Sequence, residues 1–170
     1  FTTAWYGKIF SNQSVASALS NSLYLAAWSV GLSAIIGTLG ALGMARTHFK
    51  GEGALELMAS LPMMIPEIIL GMAYLALFTA VGMPLGMPAL VIAHTTFCIP
   101  YVLINVKGRL VGMDPALEEA ARDLGASPVR CFFDVTLPTI FPGVLSGMLL
   151  ALAMSMDDVI ISFFVTGPTT

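Results

Sequence analysis

Three carboxylates stand in stretches of sequence that are otherwise almost wholly apolar: Glu67, Asp157 and Asp158. None has a Lys or Arg within its own stretch to neutralise it. A charge at the centre of a bilayer costs about 2.5–3.5 kcal/mol on insertion scales, so such a residue usually faces a partner or a water-filled path. Along such a path, carboxylates replace part of the hydration that a flexible cationic solute loses. Tyr101 adds a ring face that attracts cations, although its ordinary reading is a tyrosine packed in a span. A second concentration of polar chemistry lies between Asp114 and Asp134, which also holds Glu118, Glu119, Arg122, Asp123 and Arg130. A charge run is usually a solvated face; the other reading is a surface for an aqueous partner.

Each acid also has a local explanation. Pro66 and Glu67 suit the first two positions of a half-helix, where a carboxylate meets the positive helix end; a capping carboxylate can still line a cavity. If a helix starts at Thr139, Asp157 and Asp158 lie about 28 Å along it, near the outer boundary, where water reaches them. Asp158 shares the face of Ala151 and Ser155 and should point into the bundle, with Asp157 about 100° away. His94 and Cys98 are four apart, but no third ligand accompanies them, so no metal site is expected. A hydrolase using Ser146 or Ser155 with His94 needs hydrogen-bond reach between the two side chains, and the chain has no G-x-S-x-G element.

The elements that carry these residues follow from composition. Of 170 residues, 57% are hydrophobic and 10% charged, with a mean hydropathy of +0.89. Soluble domains are about 25% charged, and apolar runs here approach the ~20 residues that cross a bilayer. The expectation is an all-α, polytopic membrane protein. Cys98 and Cys131 give no disulfide framework and read as small apolar residues. The chain begins with Phe1 and shows no signal peptide, so it is expected to be a piece of a longer protein.

Four spans are predicted. Residues 1–21 form a polar lead-in with Trp5, Tyr6 and Phe10 suited to an interface, and the membrane domain occupies 22–170. The first span covers about Ser22 to Ala45, with Ser33, Gly37, Ala41 and Ala45 as a small-residue packing face. The second, about Leu55 to Val81, is broken near its middle by Pro62 and Pro66. The third runs from about Ala89 to Val106, with a kink expected at Pro100. After the polar loop 107–138, the fourth starts near Thr139 with a second small face at Gly143, Gly147, Ala151 and Ser155. Six of the seven basic residues (Arg46, Lys50, Lys107, Arg109, Arg122 and Arg130) fall in alternate loops on one side, and only Lys8 on the other. The positive-inside rule makes that side cytoplasmic.

Within the loop, Asp114-Pro115 reads as a cap followed by proline at the first helical position. The helix should stop at Gly125, and Ser127-Pro128 should start another, after which Pro138 can start the fourth span. Its residues Val129, Phe132, Phe133 and Val135 give an apolar surface, part packed on the chain itself and part offered outward.

The spacing Glu119-Ala120-Ala121, three residues, Gly125, nine residues, Val135-Thr136-Leu137-Pro138 resembles the EAA loop of ABC importer permeases. Only the family's Ile is changed, to Val135. Further stretches (Pro62 to Glu67, His94 to Pro100, and Ser155 to Val159 leading to Phe164 to Pro168) are similar to the second membrane subunit of spermidine/putrescine importers. The resemblance implies a type I importer permease core, normally of six spans, in the bacterial inner membrane. It implies that Glu119, Ala120, Ala121, Gly125, Leu137 and Pro138 couple the permease to an ATPase subunit dimer that binds ATP and Mg. A second, homologous permease and an extracytoplasmic solute-binding protein complete the implied assembly, with a polyamine as cargo, lipid around it and no nucleic acid. The chain has no G-x-x-x-x-G-K-[ST] phosphate-binding loop, in keeping with a permease without enzyme activity or cofactor of its own. Glu67, Asp157, Asp158 and Tyr101 are the candidate substrate path. Family members also import other organic cations, iron, thiamine and opines; the acids argue against anions. A structural assembly factor would leave the EAA spacing unexplained.

Overall fold

The computed structural model describes residues 12–47 and 50–167, and all the regular elements among them are helical. Trp5, Tyr6, Lys8, Phe10 and Pro168 lie outside the described residues.

Helix α1, Gln13–Arg46, starts where Asn12 Oδ1 accepts the Ser14 amide at 3.0 Å. It therefore includes the exposed polar stretch 13–21 that the sequence assigns to the lead-in. Its 34 residues extend about 51 Å, well beyond the ~30 Å hydrocarbon core. The expected second span is two helices, α2 (Glu52–Met64) and α3 (Glu67–Ala80), meeting at 106°. Pro66 is the cause: it lacks an amide, and it drives Ile65 to extended backbone at φ −83°, ψ 133°. Pro62, in contrast, stays inside the last turn of α2. The 14 residues of α3 reach about 21 Å and do not cross a bilayer alone.

Helix α4, Met87–Val111, is the centre of the fold and runs as one helix through Pro100. It packs between α1 and α7. After α5 (Ala116–Asp123), the chain enters α6 (Pro128–Cys131), a π-helical turn (Phe132–Thr136) and α7 (Leu137–Asp157). These last three form one continuous helix from Pro128 to Asp157. The fourth span, expected to start at Pro138, thus continues from α6 through a widened turn, in which the Leu137 amide bonds Phe132 O. Widening suits a proline that cannot donate to residue 134 and whose ring crowds that carbonyl. The short α8, Ile160–Val165, packs on α3 and α4.

Both small-residue faces serve this packing. Ser33, Gly37, Ala41, Gly143, Gly147, Ala151 and Ser155 are buried, while Ala45 is exposed. Gly37 and Gly147 close on Val102 of α4 from two sides. A Cβ added at Gly37 would lie 2.9 Å from Val102 Cβ, and one at Gly147 would lie 2.7 Å from Val102 Cα. The second contact is with backbone, which cannot rotate away. Gly147→Val is thus expected to cost about 1–3 kcal/mol or more by overpacking, read as a lower melting temperature in detergent. Gly31→Ala, where an added Cβ meets nothing within 4 Å, should leave it unchanged; equal effects at the two positions would refute this packing account.

Candidate functional site

The polar loop forms an elbow whose corners are set by local sequence. Asp114 Oδ1 accepts the Ala116 amide at 3.0 Å and opens α5. At the other end Gly125 takes φ +84°. Its amide donates to Arg122 O at 2.8 Å, and the Ala126 amide donates to Ala121 O at 3.0 Å, the paired Schellman closure of a helix end. Ser127 Oγ then accepts the Arg130 amide at 3.3 Å and opens α6 at Pro128. Phe132 and Val135 are half-buried, whereas Val129 and Phe133 are exposed. Leu124, 90% exposed, forms the tip. A groove of about 220 Å³ runs between α5 and α6, lined by Ala121, Leu124, Arg130 and Val135 among others.

Glu119 and Ala120 are exposed, Ala121 and Leu137 are half-buried, and Pro138 is exposed. Among the described residues the Glu119 carboxylate has no hydrogen bond or ion pair, its amide donating to Pro115 O at 3.2 Å. Its neighbour Glu118 is held from several sides. Glu118 Oε1 accepts from Arg46 Nη2 and, at 2.5 Å, from Thr136 Oγ1; Arg122 Nη2 stands 3.9 Å from Oε2. The basic residues share this end of the bundle: Lys107 pairs at 2.7 Å with Glu56, a fourth acid of the second apolar stretch. Arg109 leans on Gly143.

The three membrane acids separate by environment. Glu67 is the first residue of α3 at the 106° break, half-buried, within electrostatic reach of Tyr101. Its carboxylate makes no hydrogen bond or ion pair among the described residues. Tyr101 is half-buried and meets Phe97 edge to face, with ring centroids 5.7 Å apart. Asp157 is exposed at the end of α7.

Asp158 points inward as expected, but its side chain is 0% exposed. Its carboxylate accepts the Ile161 amide and the Ser162 amide and hydroxyl, each at 3.0 Å. His94 Nε2 lies 3.0 Å from Ser162 Oγ and 3.3 Å from Asp158 Oδ2, and Nδ1 lies 3.0 Å from Ser155 Oγ. This closed network joins α4, α7 and α8, and its local arrangement differs from an open path residue: Asp158 caps α8. Ser155 does reach His94, while Ser146 bonds Asn105 instead at 3.2 Å. With His94 at 0% and Ser155 at 6% exposure, an acyl substrate has no access to that pair.

Residues 14–169 match the family described as binding-protein-dependent transport system inner membrane component. The chain belongs to this family. It is 39% identical, over 99% of its length, to the putrescine transport system permease protein PotI of Escherichia coli (strain K12). It is 41% identical over 98% of its length to the spermidine/putrescine transport system permease protein PotC of Haemophilus influenzae. The Escherichia coli (strain K12) PotC is 40% identical over 99% of the chain. The chain spans 62%, 65% and 64% of these relatives' own lengths, just under two thirds. The chain is thus an all-α, multi-pass member of a family of inner-membrane transport components.

Two constellations of the chain were not visible as such in its sequence. The tie of Glu118 to Arg46 spans 72 positions, and His94 meets Asp158 from another helix. A signal was present for the second: a buried-span histidine and a buried-face aspartate are each costly alone and far less so together.

Proposed function

We propose that this chain is part of the membrane subunit of an ATP-driven polyamine importer, alternating between outward-open and inward-open states. The observation that carries the reading is identity near 40% along almost the whole chain with permeases named for putrescine and spermidine. ATP and Mg bind a separate ATPase dimer, which grips the elbow at Glu119, Ala120, Ala121 and Gly125; Leu137 and Pro138 root the elbow in α7. A second, similar permease completes the path, and an extracytoplasmic binding protein delivers the cargo. The exposed apolar tip at Leu124, Val129 and Phe133 and the Glu119 carboxylate, without a partner among the described residues, support that docking.

Glu67 is the acid best suited to meet a polyamine ammonium. It sits at a break between helices, where irregular backbone in a membrane is tolerated only against protein or a water-filled cavity. Among the described residues its carboxylate has no cationic partner to displace. Tyr101 offers its ring to the same cation. Asp157, exposed near the outer end, guides cations toward the path.

The test is uptake of labelled spermidine by the full-length permease assembled with its partner subunits, under competition from putrescine and from an unrelated organic cation. Glu67→Gln should raise the half-saturating spermidine concentration about tenfold, as expected for losing roughly one charge-assisted contact. Detergent stability should not change, because the carboxylate bonds nothing among the described residues. Unchanged uptake kinetics would remove Glu67 from the path.

A further inference from the structure

We propose that Glu118 is the positioning residue that transmits movement of the docking elbow to the membrane helices; the proposal rests on the transport reading above. Helix α5 packs chiefly on the neighbouring α6 and π turn and reaches α1 through the side chains of Glu118 and Arg46. Arg46 is the last residue of α1, so a displacement of α5 pulls directly on the end of that span. The same carboxylate oxygen holds Thr136 Oγ1, which is 0% exposed in the π turn at the root of α7. Arg46 Nη2 also approaches Thr136 Oγ1 at 3.3 Å, closing a three-membered link among α5, α1 and α7.

The Glu118 side chain is 18% exposed; a charge-assisted hydrogen bond in such a setting is stronger and more directional than a solvated pair. Cys131 Sγ lies 3.9 Å from the Glu118 carbonyl and seats the same residue against α6. Successive residues of a helix point about 100° apart. Adjacent glutamates therefore divide the work: the Glu119 carboxylate is exposed, with no partner among the described residues, and Glu118 faces inward onto the two spans.

The experiment measures ATP hydrolysis and spermidine uptake together, in proteoliposomes carrying the full-length permease with its partner subunits. Glu118→Gln should raise the ATP consumed per spermidine imported about tenfold, as the charge-assisted link weakens. The exchange Glu118→Arg with Arg46→Glu should bring the ratio back to within about twofold, since the pair and an acceptor for Thr136 are restored. Uptake and hydrolysis falling in equal proportion in Glu118→Gln, or an exchange that restores nothing, would overturn the proposal. A pair of spin labels at Ala116→Cys and Gly43→Cys reads the same link without any cargo. Its distance distribution should be narrow in the unmutated complex, broad in Glu118→Gln and narrow again in the exchange. A narrow distribution in Glu118→Gln overturns the proposal even if the cargo is not a polyamine, and a broad one upholds it in that case.

Discussion

Gly125→Val is expected to reduce ATP-driven uptake at least tenfold while the permease still inserts into the membrane. The reason is conformational. An added Cβ at Gly125 meets nothing within 4 Å, so no clash opposes the larger residue. The backbone there sits at φ +84°, which costs an L-residue about 1–2 kcal/mol and a β-branched one more. Leaving that conformation breaks the two hydrogen bonds that close α5, from Gly125 to Arg122 and from Ala126 to Ala121. The elbow would then present Glu119 and Leu124 at a different angle to α6. Because the change lies outside the packed helices, insertion and bundle stability should survive. Gly125→Asn, which tolerates the left-handed region better, should retain more uptake than Gly125→Val. Equal uptake by Gly125→Val and the unmutated protein, at equal membrane levels, would show that the turn does not matter for coupling.

Asp158→Ala is expected to lower stability more than any substitution at the other membrane acids. Its removal strips the cap from α8 and leaves His94 Nε2 and the Ser162 hydroxyl without their carboxylate, where the His94 side chain is 1% exposed. Leaving a buried donor or acceptor unsatisfied costs about 1–3 kcal/mol for each group. His94→Ala should cost a comparable amount, and the double variant should fall well short of the sum, because the two share one network. The consequence reaches further than the joint itself: α8 is the helix on which α3 leans, with Gly71 against Phe164, and α3 carries Glu67. Thermal unfolding in detergent measures the effect, with Asp157→Asn as the unaffected comparison. If Asp158→Ala kept its melting temperature but lost uptake, the carboxylate would belong to the cation path and not to the joint.

What was legible in the sequence is what local chemistry decides. Asp114-Pro115, Gly125 and Ser127-Pro128 state where each short helix begins or ends, because caps and left-handed turns depend on a few adjacent residues. The two small-residue faces were likewise readable, since spacing by four keeps residues on one side of a helix. The break at Pro66 was legible as a break; its 106° angle was not, because α8 and α4 fix it from far along the chain. Pro138 does stand in the first turn of α7, but the π turn that joins α6 to it without a break was not legible. Asp158 could be placed on the inner face, but its partner His94 lies on another span. Glu118 and Glu119 look interchangeable in sequence, and only the approach of Arg46 and Thr136 separates them.

The most direct measurement is ATP-dependent uptake of labelled spermidine into proteoliposomes carrying the full-length permease, its partner permease, the ATPase dimer and the binding protein, with the Gly125→Val complex alongside. Saturable uptake that needs ATP, is displaced by putrescine and disappears in Gly125→Val is the predicted result. Uptake that persists in Gly125→Val, or spermidine ignored while another solute is imported, would contradict a polyamine permease driven through the elbow.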